Sequence, residues 1–462
     1  MKATTMKTTI IILALFAAIC YADTHIPAGP VNGVWEATGS PYMIDGDINV
    51  PTDDSLIIEP GCSLIFTGHY SLTVDSMALF KAIGTIDDSI VFTAQDTVLT
   101  DSTGGFNSIV SYGISNIQNC IIEYGNFIGP LGSFIEIRSM ENSVFRNCVI
   151  KKSYSAFILA RLFGNDDYTV DRVKLYNNTA VSSLIRFEGN EIDYSHVILQ
   201  NSILKDNISL FDEPLIFIPH LQASFIQCSF IDNGSDLINT YSYARVIFLN
   251  SLSAGNGGDF HYYDEADYPI LVINCLFDTD IEEENCFTYH TIIGEAFIDS
   301  FGHLSDSSEA IDAGADSAVI YTYMFTLYAP DHDIEGNPRP LGAGYDIGAY
   351  EYVPTGIEEN SPTAKPEAFA ISAHPNPFNS AVTIITPAGA EIEIFDINGR
   401  RIDVIPDPDR ESRGMEKNLD SRFHGNDNTV VWQPSPSLGS GVYLIRAIRD
   451  EQEVIKRIVY LK

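Results

Sequence analysis

The sequence predicts an all-β chain, a parallel β-helix (solenoid) followed by a small C-terminal Ig-like β-sandwich. Three observations predict it. A corner motif recurs through the middle of the chain, short β-branched and aromatic runs sit between turn residues, and the composition changes near residue 366. The corner motif reads Ile117-Gln118-Asn119-Cys120-Ile121, then Phe145-Arg146-Asn147-Cys148-Val149, and returns around Asn177, Asn201, Gln227, Asn250 and Asn274. With Cys120, Cys148, Asn178, Ser202, Cys228, Ser251 and Cys275 as equivalents, the steps are 28, 30, 24, 26, 23 and 24 residues. One such unit cannot bury its apolar face, but stacked units can. A period near 25 with several short strands fits one coil of a parallel β-helix. A propeller blade needs about 40 residues.

Stacking makes two side-chain columns. Asn119, Asn147, Asn177, Asn201, Gln227, Asn250 and Asn274 form an amide column, expected to bond from coil to coil across a spacing of about 4.8 Å. The next column is small, reading Cys, Cys, Asn, Ser, Cys, Ser, Cys from Cys120 to Cys275, which suits buried packing. In it Cys120 and Cys148 fall on adjacent coils, whereas Ser251 separates Cys228 from Cys275.

The N-terminus reads as an address. Lys2 and Lys7 precede the apolar run Ile10 to Leu15, and Ala22 offers a cleavage point, so residues 1–22 are expected to be a secretory signal peptide. No other stretch is long and apolar enough to span a bilayer, so the mature chain is expected to have no transmembrane segment. The 462 residues carry 26 Lys+Arg and 62 Asp+Glu, a net charge of −36. Such a surface excludes nucleic-acid binding through phosphate neutralisation. The charge sits on one part of the chain. Residues 23–366 hold 13 basic and 48 acidic side chains, while residues 367–462 hold 11 and 14.

Upstream of the repeat, Leu56-Ile57-Ile58-Glu59-Pro60-Gly61-Cys62 and Ile90-Val91-Phe92-Thr93-Ala94 resemble the opening coils of bacterial right-handed parallel β-helix repeat proteins. The resemblance covers about residues 35–300, implies right-handed coils for the β-helix expected over 23–300, and speaks for architecture rather than activity. Ala310 to Gly314, Asp333 to Arg339 and Asp346 to Tyr352 are similar to the terminal segment of such proteins, so residues 301–353 are expected to cap the helix. Asp331, Asp333, Asp346 and Glu351 could instead gather a hard cation, with Arg339 as the competing partner, but no calcium-loop spacing occurs. We expect no metal and no cofactor.

Residues 354–366 read as a linker, and the strands after it alternate as a sandwich requires. Pro375-Asn376-Pro377-Phe378-Asn379, the Ile394 to Arg400 stretch with Gly399, Gly441-Val442-Tyr443 and the ending at Lys462 resemble the C-terminal sorting domain of type IX secretion substrates. That resemblance implies export by the type IX machinery and a final place outside, or on the outer surface of, a Gram-negative cell. One departure is residues 406–428, ten of them charged, which read as an inserted loop.

Chemistry is sparse. No H-E-x-x-H, P-loop or G-x-S-x-G motif occurs, and no catalytic residue is assigned. Asp166 and Asp167 with Asp171 are the best candidate for a catalytic carboxylate cluster, but they fit an outward loop between coils as well. The best binding candidate is the run Phe260 to Tyr268, in which His261, Tyr262, Tyr263 and Asp264 offer rings to stack on sugars and an acid to accept hydroxyl hydrogens. The competing account is a coil-linking loop whose tyrosines pack on the body of the solenoid. The function expected is a non-catalytic surface protein for adhesion or polysaccharide binding, with an extracellular polysaccharide lyase or glycoside hydrolase as the alternative.

Overall fold

The computed structural model describes residues 23–354 except 100–103, 130, 157, 165, 190–194, 212, 241–243, 263–267 and 282–285. It also describes residues 372–462 except 375–377, 386–390, 397–399, 406–428, 436–437, 450–451 and 461. The expected signal peptide, almost all of the linker and the inserted loop lie outside the described residues. Two compact units divide the chain, residues 1–355 and 356–462. No helix among the described residues is long and apolar enough to cross a membrane.

The first unit is a parallel β-solenoid. Three parallel sheets of twelve, ten and eleven strands, here sheets A, B and C, run along it. The chain visits A, then B, then C in each coil, and four middle coils add a short sheet D between A and B. One coil reads Val149–Lys151 in A, Tyr154–Ser155 in D, Ile158–Phe163 in B and Tyr168–Asp171 in C. Alternation sends every second residue inward. In Ser63–Phe66, for example, Leu64 and Phe66 are buried while Ser63 and Ile65 are half-buried. The inward aromatics stack from coil to coil, Phe66 on Phe106 at 4.4 Å and Phe225 on Phe248 at 4.8 Å between ring centroids.

The corner between sheets C and A is the recurring motif. Asn119, Asn147, Asn201, Gln227, Asn250 and Asn274 all have φ between 47° and 55°, the left-handed region where Asn is tolerated best after Gly. Gly61 of the Pro60-Gly61 turn holds the same corner with φ 78°. The sheet register corrects one coil. Cys148 aligns with Val173, so Arg172 (φ 55°), not Asn177, is the corner residue there. Asn177 belongs to a second left-handed corner, between sheets A and D, with Tyr124, Lys152, Asp206 and Asp232.

This second corner holds the true amide ladder. Asn178, Asn207 and Asn233 are buried and stack one per coil, with half-buried Asn256 after them. Each Nδ2 donates to the next Oδ1, from Asn178 to Asn207 (3.0 Å), Asn207 to Asn233 (3.1 Å) and Asn233 to Asn256 (2.8 Å). Each Oδ1 also accepts the backbone N–H of the preceding coil, and each Nδ2 also reaches that coil's carbonyls, such as Ile150 O and Leu175 O. The expected column at the other corner is bonded only in places. Asn147 donates to Asn119 Oδ1, Asn201 reaches Asp171 at 3.4 Å, and Gln227 has no side-chain partner among the described residues.

The small column lies beside the C–A corner as expected. Cys120, Cys148 and Cys228 are buried free thiols whose Sγ donate to Ala82 O, Ile117 O and Leu199 O of the preceding coil. Burial pushes the Cys228 and Cys275 thiols up to about 12, which leaves these two with almost no nucleophilic thiolate at neutral pH.

Residues 301–353, expected over the end of the solenoid, make apolar contacts along its side, joined there by Ala296. Ala296, Leu304, Ala310, Ile347, Ala349 and Tyr350 pack on Ile203, Ile231, Leu252 and Leu276, which point outward from sheet A. The hairpin Ser317–Ile320 and Phe325–Tyr328 lays Ile320 and Leu327 on Ile226, Ile247, Leu249 and Leu271 of sheet C. The physical reason is visible in the strands. In these coils the outward positions of A and C are apolar too, so a strap must cover them. Backbone bonds seal it: Gly348 N–H to Asn250 O (2.8 Å) and Ala349 N–H to Ser229 Oγ (2.8 Å).

The second unit has two small antiparallel sheets of three and four strands. Residues from both share one core, including Val382, Ile384, Ile394, Trp432, Tyr443, Ile445 and Ile458.

Two predictions follow from these contacts. Asn207→Ala leaves buried amides of two coils unpaired, at a cost of about 1–3 kcal/mol. Asn201→Gly keeps its left-handed backbone and should cost less than about 1 kcal/mol. Urea unfolding of the two variants checks the order, and equal losses would remove the ladder from the account. In the strap, His303 sits between Asp299 (3.0 Å) and Glu335 (3.4 Å), and the hydrogen bond to Glu335 raises its pKa above 6.5. Burial raises Asp346 from 3.8 to about 6. Both groups bind protons more tightly when folded, so the stability they add is full at low pH and falls as pH rises. The Asp346 share is lost between about pH 4 and 6, and the His303 share above 6.5. His303→Gln should therefore flatten the melting-temperature slope above pH 6.5, and because His303 also holds the Glu335 and Asp299 carboxyls below their ordinary values it should reduce the loss of stability on the acid side as well. A variant with the parent slope throughout would show that the strap does not sense that ring.

Candidate functional site

Outward residues of sheet B form a polar and aromatic strip. One register column runs Glu136, Arg161, Arg186, Phe217 and Asn239, one residue per coil, and the backbone pairing continues to position 261. Beside it, Arg138, Phe163 and Glu188 lie two positions further along their strands. The alternation that buries Ile185 and Phe187 turns Arg186 and Glu188 outward.

The arginines lie over rings. The Arg161 guanidinium is 4.8 Å from the Phe163 centroid and that of Arg186 is 4.6 Å from Phe217. Arg138 sits between Tyr112 (4.9 Å) and Phe163 (5.2 Å). Glu188 Oε1 accepts from Arg161 Nη2 at 2.7 Å and also from Arg186 Nε, so one carboxylate serves two guanidinium groups. Glu136 pairs with Arg138 and accepts the Ser133 hydroxyl at 3.0 Å. Among the described residues of these coils the strip sets three arginines against two glutamates, on a chain of net charge −36. Stacked, tied guanidinium groups are held in place before any ligand arrives, and they offer fixed donor forks beside apolar ring surface.

The sequence-predicted site meets this strip at one end. His261 and Tyr262 close the strand Gly258–Tyr262, and the register of His261 continues the arginine column. Tyr263 and Asp264 lie outside the described residues. The ends of the predicted run pack on the body, since Phe260 is buried against Phe248 and Phe277, and the ring of Tyr268 lies 4.5 Å beneath the Arg245 guanidinium. Sequence reasoning missed Arg138, Arg161, Phe163, Arg186 and Phe217. Their signal was arginines recurring at 23 and 25 residues, the length of one coil.

The other carboxylate groups are structurally engaged. Asp167 Oδ1 caps the His196 N–H at 2.9 Å, while buried Asp171 pairs with Arg146 and Arg172 at 3.1 Å, so the Asp166 to Asp171 group does not converge. In the strap, Arg339 Nη1 donates to Glu351 Oε1 at 2.6 Å. Asp333 accepts three backbone N–H groups and Asp346 two. These carboxylates hold peptide groups and a guanidinium rather than facing one centre.

In the second unit, the described residues of the sorting-like motifs meet. Phe378 is buried, pairs with Tyr460 by a bridge, and lies 5.8 Å from Trp432, which is 6.1 Å from Tyr443. Tyr443 donates its hydroxyl hydrogen to Gly439 O at 2.8 Å, Gly441 opens the strand Gly441–Arg449, and Lys462 N–H donates to Ser440 Oγ. Asn379 is exposed, and Pro375, Asn376, Pro377 and Gly399 lie outside the described residues. Comparison with protein-family models gives no match, and comparison with curated proteins and with solved structures gives no significant one.

Proposed function

We propose that this chain is an exported, non-catalytic β-helix protein that binds polysaccharide along the outer face of sheet B. The observation that carries the proposal is the strip of arginines held over aromatic rings, one coil apart. Ring faces pack on the apolar faces of sugars, and guanidinium groups donate to hydroxyl and carboxylate oxygens. The local excess of positive charge favours a polymer that carries acids, which the rest of the surface repels. A solenoid repeats its donors at a fixed spacing, so a linear chain lying along the axis meets the same chemistry several times.

Export completes the proposal. Residues 1–22 act as the signal peptide, the coils are right-handed, and residues 367–462 form an Ig-like sandwich recognised by the type IX secretion machinery. The protein then works outside, or on the surface of, a Gram-negative cell. What supports the sandwich is the core shared by its two sheets, and what supports the sorting role is the meeting of Phe378, Tyr443 and Tyr460 there.

Two experiments test these halves. On an array of neutral and acidic polysaccharides, the mature protein should prefer acidic ones. Arg161→Gln with Arg186→Gln should weaken binding at least tenfold without lowering the melting temperature by more than a few degrees. Unchanged binding would remove the strip, and release of shortened or unsaturated sugars would make the protein an enzyme. For export, the form lacking 367–462 should fold and accumulate in the periplasm, while deletion of 406–428 should leave export intact. The tail-less form on the cell surface in normal amount would defeat the sorting role.

A further inference from the structure

A groove of about 390 Å³ opens at the corner between sheets A and D, lined by Thr97, Leu99, Tyr124, Lys152, Ser153, Tyr154, Asn177 and Thr179. Sheet D and the turn into sheet B separate this corner from the arginine strip, so it is a second place on the solenoid. Its volume suits a ligand of one or two rings.

Two features set the groove apart. The first is charge. The chain has 62 acidic side chains against 26 basic ones, yet the groove is lined by an ammonium and hydroxyl groups, with no carboxylate among the described lining residues. Lys152 Nζ donates to the Tyr124 hydroxyl at 3.2 Å and lies 5.3 Å from that ring's centroid, so the charge is anchored at the mouth beside an aromatic surface. The second is backbone strain. Tyr124 and Lys152 adopt φ 59° and 51°, where later coils place Asn177, Asp206, Asp232 and Gly255. Those four are the residue types that tolerate the left-handed region, whereas Tyr and Lys meet a steric penalty there. The departures from the favoured residue fall on two walls of the groove, and a strained corner that persists is a reason to look for a role.

We infer that this groove binds a single sugar unit bearing a carboxylate. The Lys152 ammonium pairs with the acid, the Tyr124 and Tyr154 rings meet the sugar's apolar face, and Thr97, Asn177 and Thr179 hydrogen-bond its hydroxyl groups. That the ligand is a sugar acid rather than a bare carboxylate rests on the proposed glycan-binding function. The site itself does not.

The test is titration of the mature protein with glucuronate, galacturonate, glucose and acetate, followed by protein-observed NMR or calorimetry. The uronates should bind at least tenfold more tightly than glucose or acetate. Lys152→Asn should abolish the preference for uronate over glucose and hold or raise the melting temperature, because Asn suits the corner better than Lys. The Arg161→Gln, Arg186→Gln protein should bind the monosaccharides as the parent does, even if it has lost the polymer. Equal binding of glucose and glucuronate, or uronate binding that survives Lys152→Asn, overturns the site. Acetate binding as tightly as uronate overturns the sugar assignment and counts against the glycan reading. Loss of monosaccharide binding in the arginine variant places the sugar on sheet B and overturns the groove.

Discussion

Everything in the solenoid depends on how its corners satisfy their backbone groups. A turn buried between coils has no water, so its N–H and C=O groups must bond to the coil above or below. Asn178, Asn207 and Asn233 meet that demand with one side chain each, because a carboxamide both accepts and donates. The left-handed residues before them turn the chain sharply enough to bring the amides into line. Once one corner is locked, the register of all three sheets is locked with it, since a slip of one residue would exchange inward and outward faces.

That locked register explains why outward side chains become columns. On sheet B the columns carry charge and rings, and on A and C of the last coils they carry Ile and Leu. The strap resolves the second case by covering the apolar columns with Ala310, Ile320, Leu327 and Ile347. It holds its own shape through Arg339, whose guanidinium is fully buried against Glu351 and the carbonyls of Gly348 and Ala349. Removing either member would leave a buried charge unpaired, which costs far more than the pair contributes. Sheet B receives no such cover from the strap's two apolar clusters, and that is the face that presents arginines.

The repeat was legible because the left-handed corner favours Asn and Gly and packing favours a small residue after it, so most coils carry the same pair. The error at Asn177 has the same cause. Both corners place a left-handed residue before a small polar one, so Asn177-Asn178 imitates Asn119-Cys120 until strand pairing separates them. Arg172-Val173, the true corner, carries neither signature. The position of the strap was illegible for a different reason. Its Ala, Ile and Gly residues are equally suited to an open end or an apolar side, and the partners lie about a hundred residues away in sequence. The arginine strip escaped notice because its members are spaced by whole coils, while motif recognition looks for neighbours. Only the run at His261 was dense enough to see, and it marks the last coil of the same face.

Rigidity then decides what such a face can do. Arg161 and Arg186 are tied to a shared carboxylate and seated on rings, so binding need not freeze two long side chains. The cost is that each guanidinium already has a partner, and a ligand must compete with Glu188 for its hydrogens. One carboxylate cannot saturate two guanidinium groups, each with five donors, so donors stay available on the strip. A flexible acidic loop could reach the same ligand groups, but its own carboxylates would repel an acidic polymer and its ordering would oppose binding. A stiff strip of arginines on an acidic solenoid would therefore give the proposed selectivity through charge placement, and the placement follows from the corner amides that set the register.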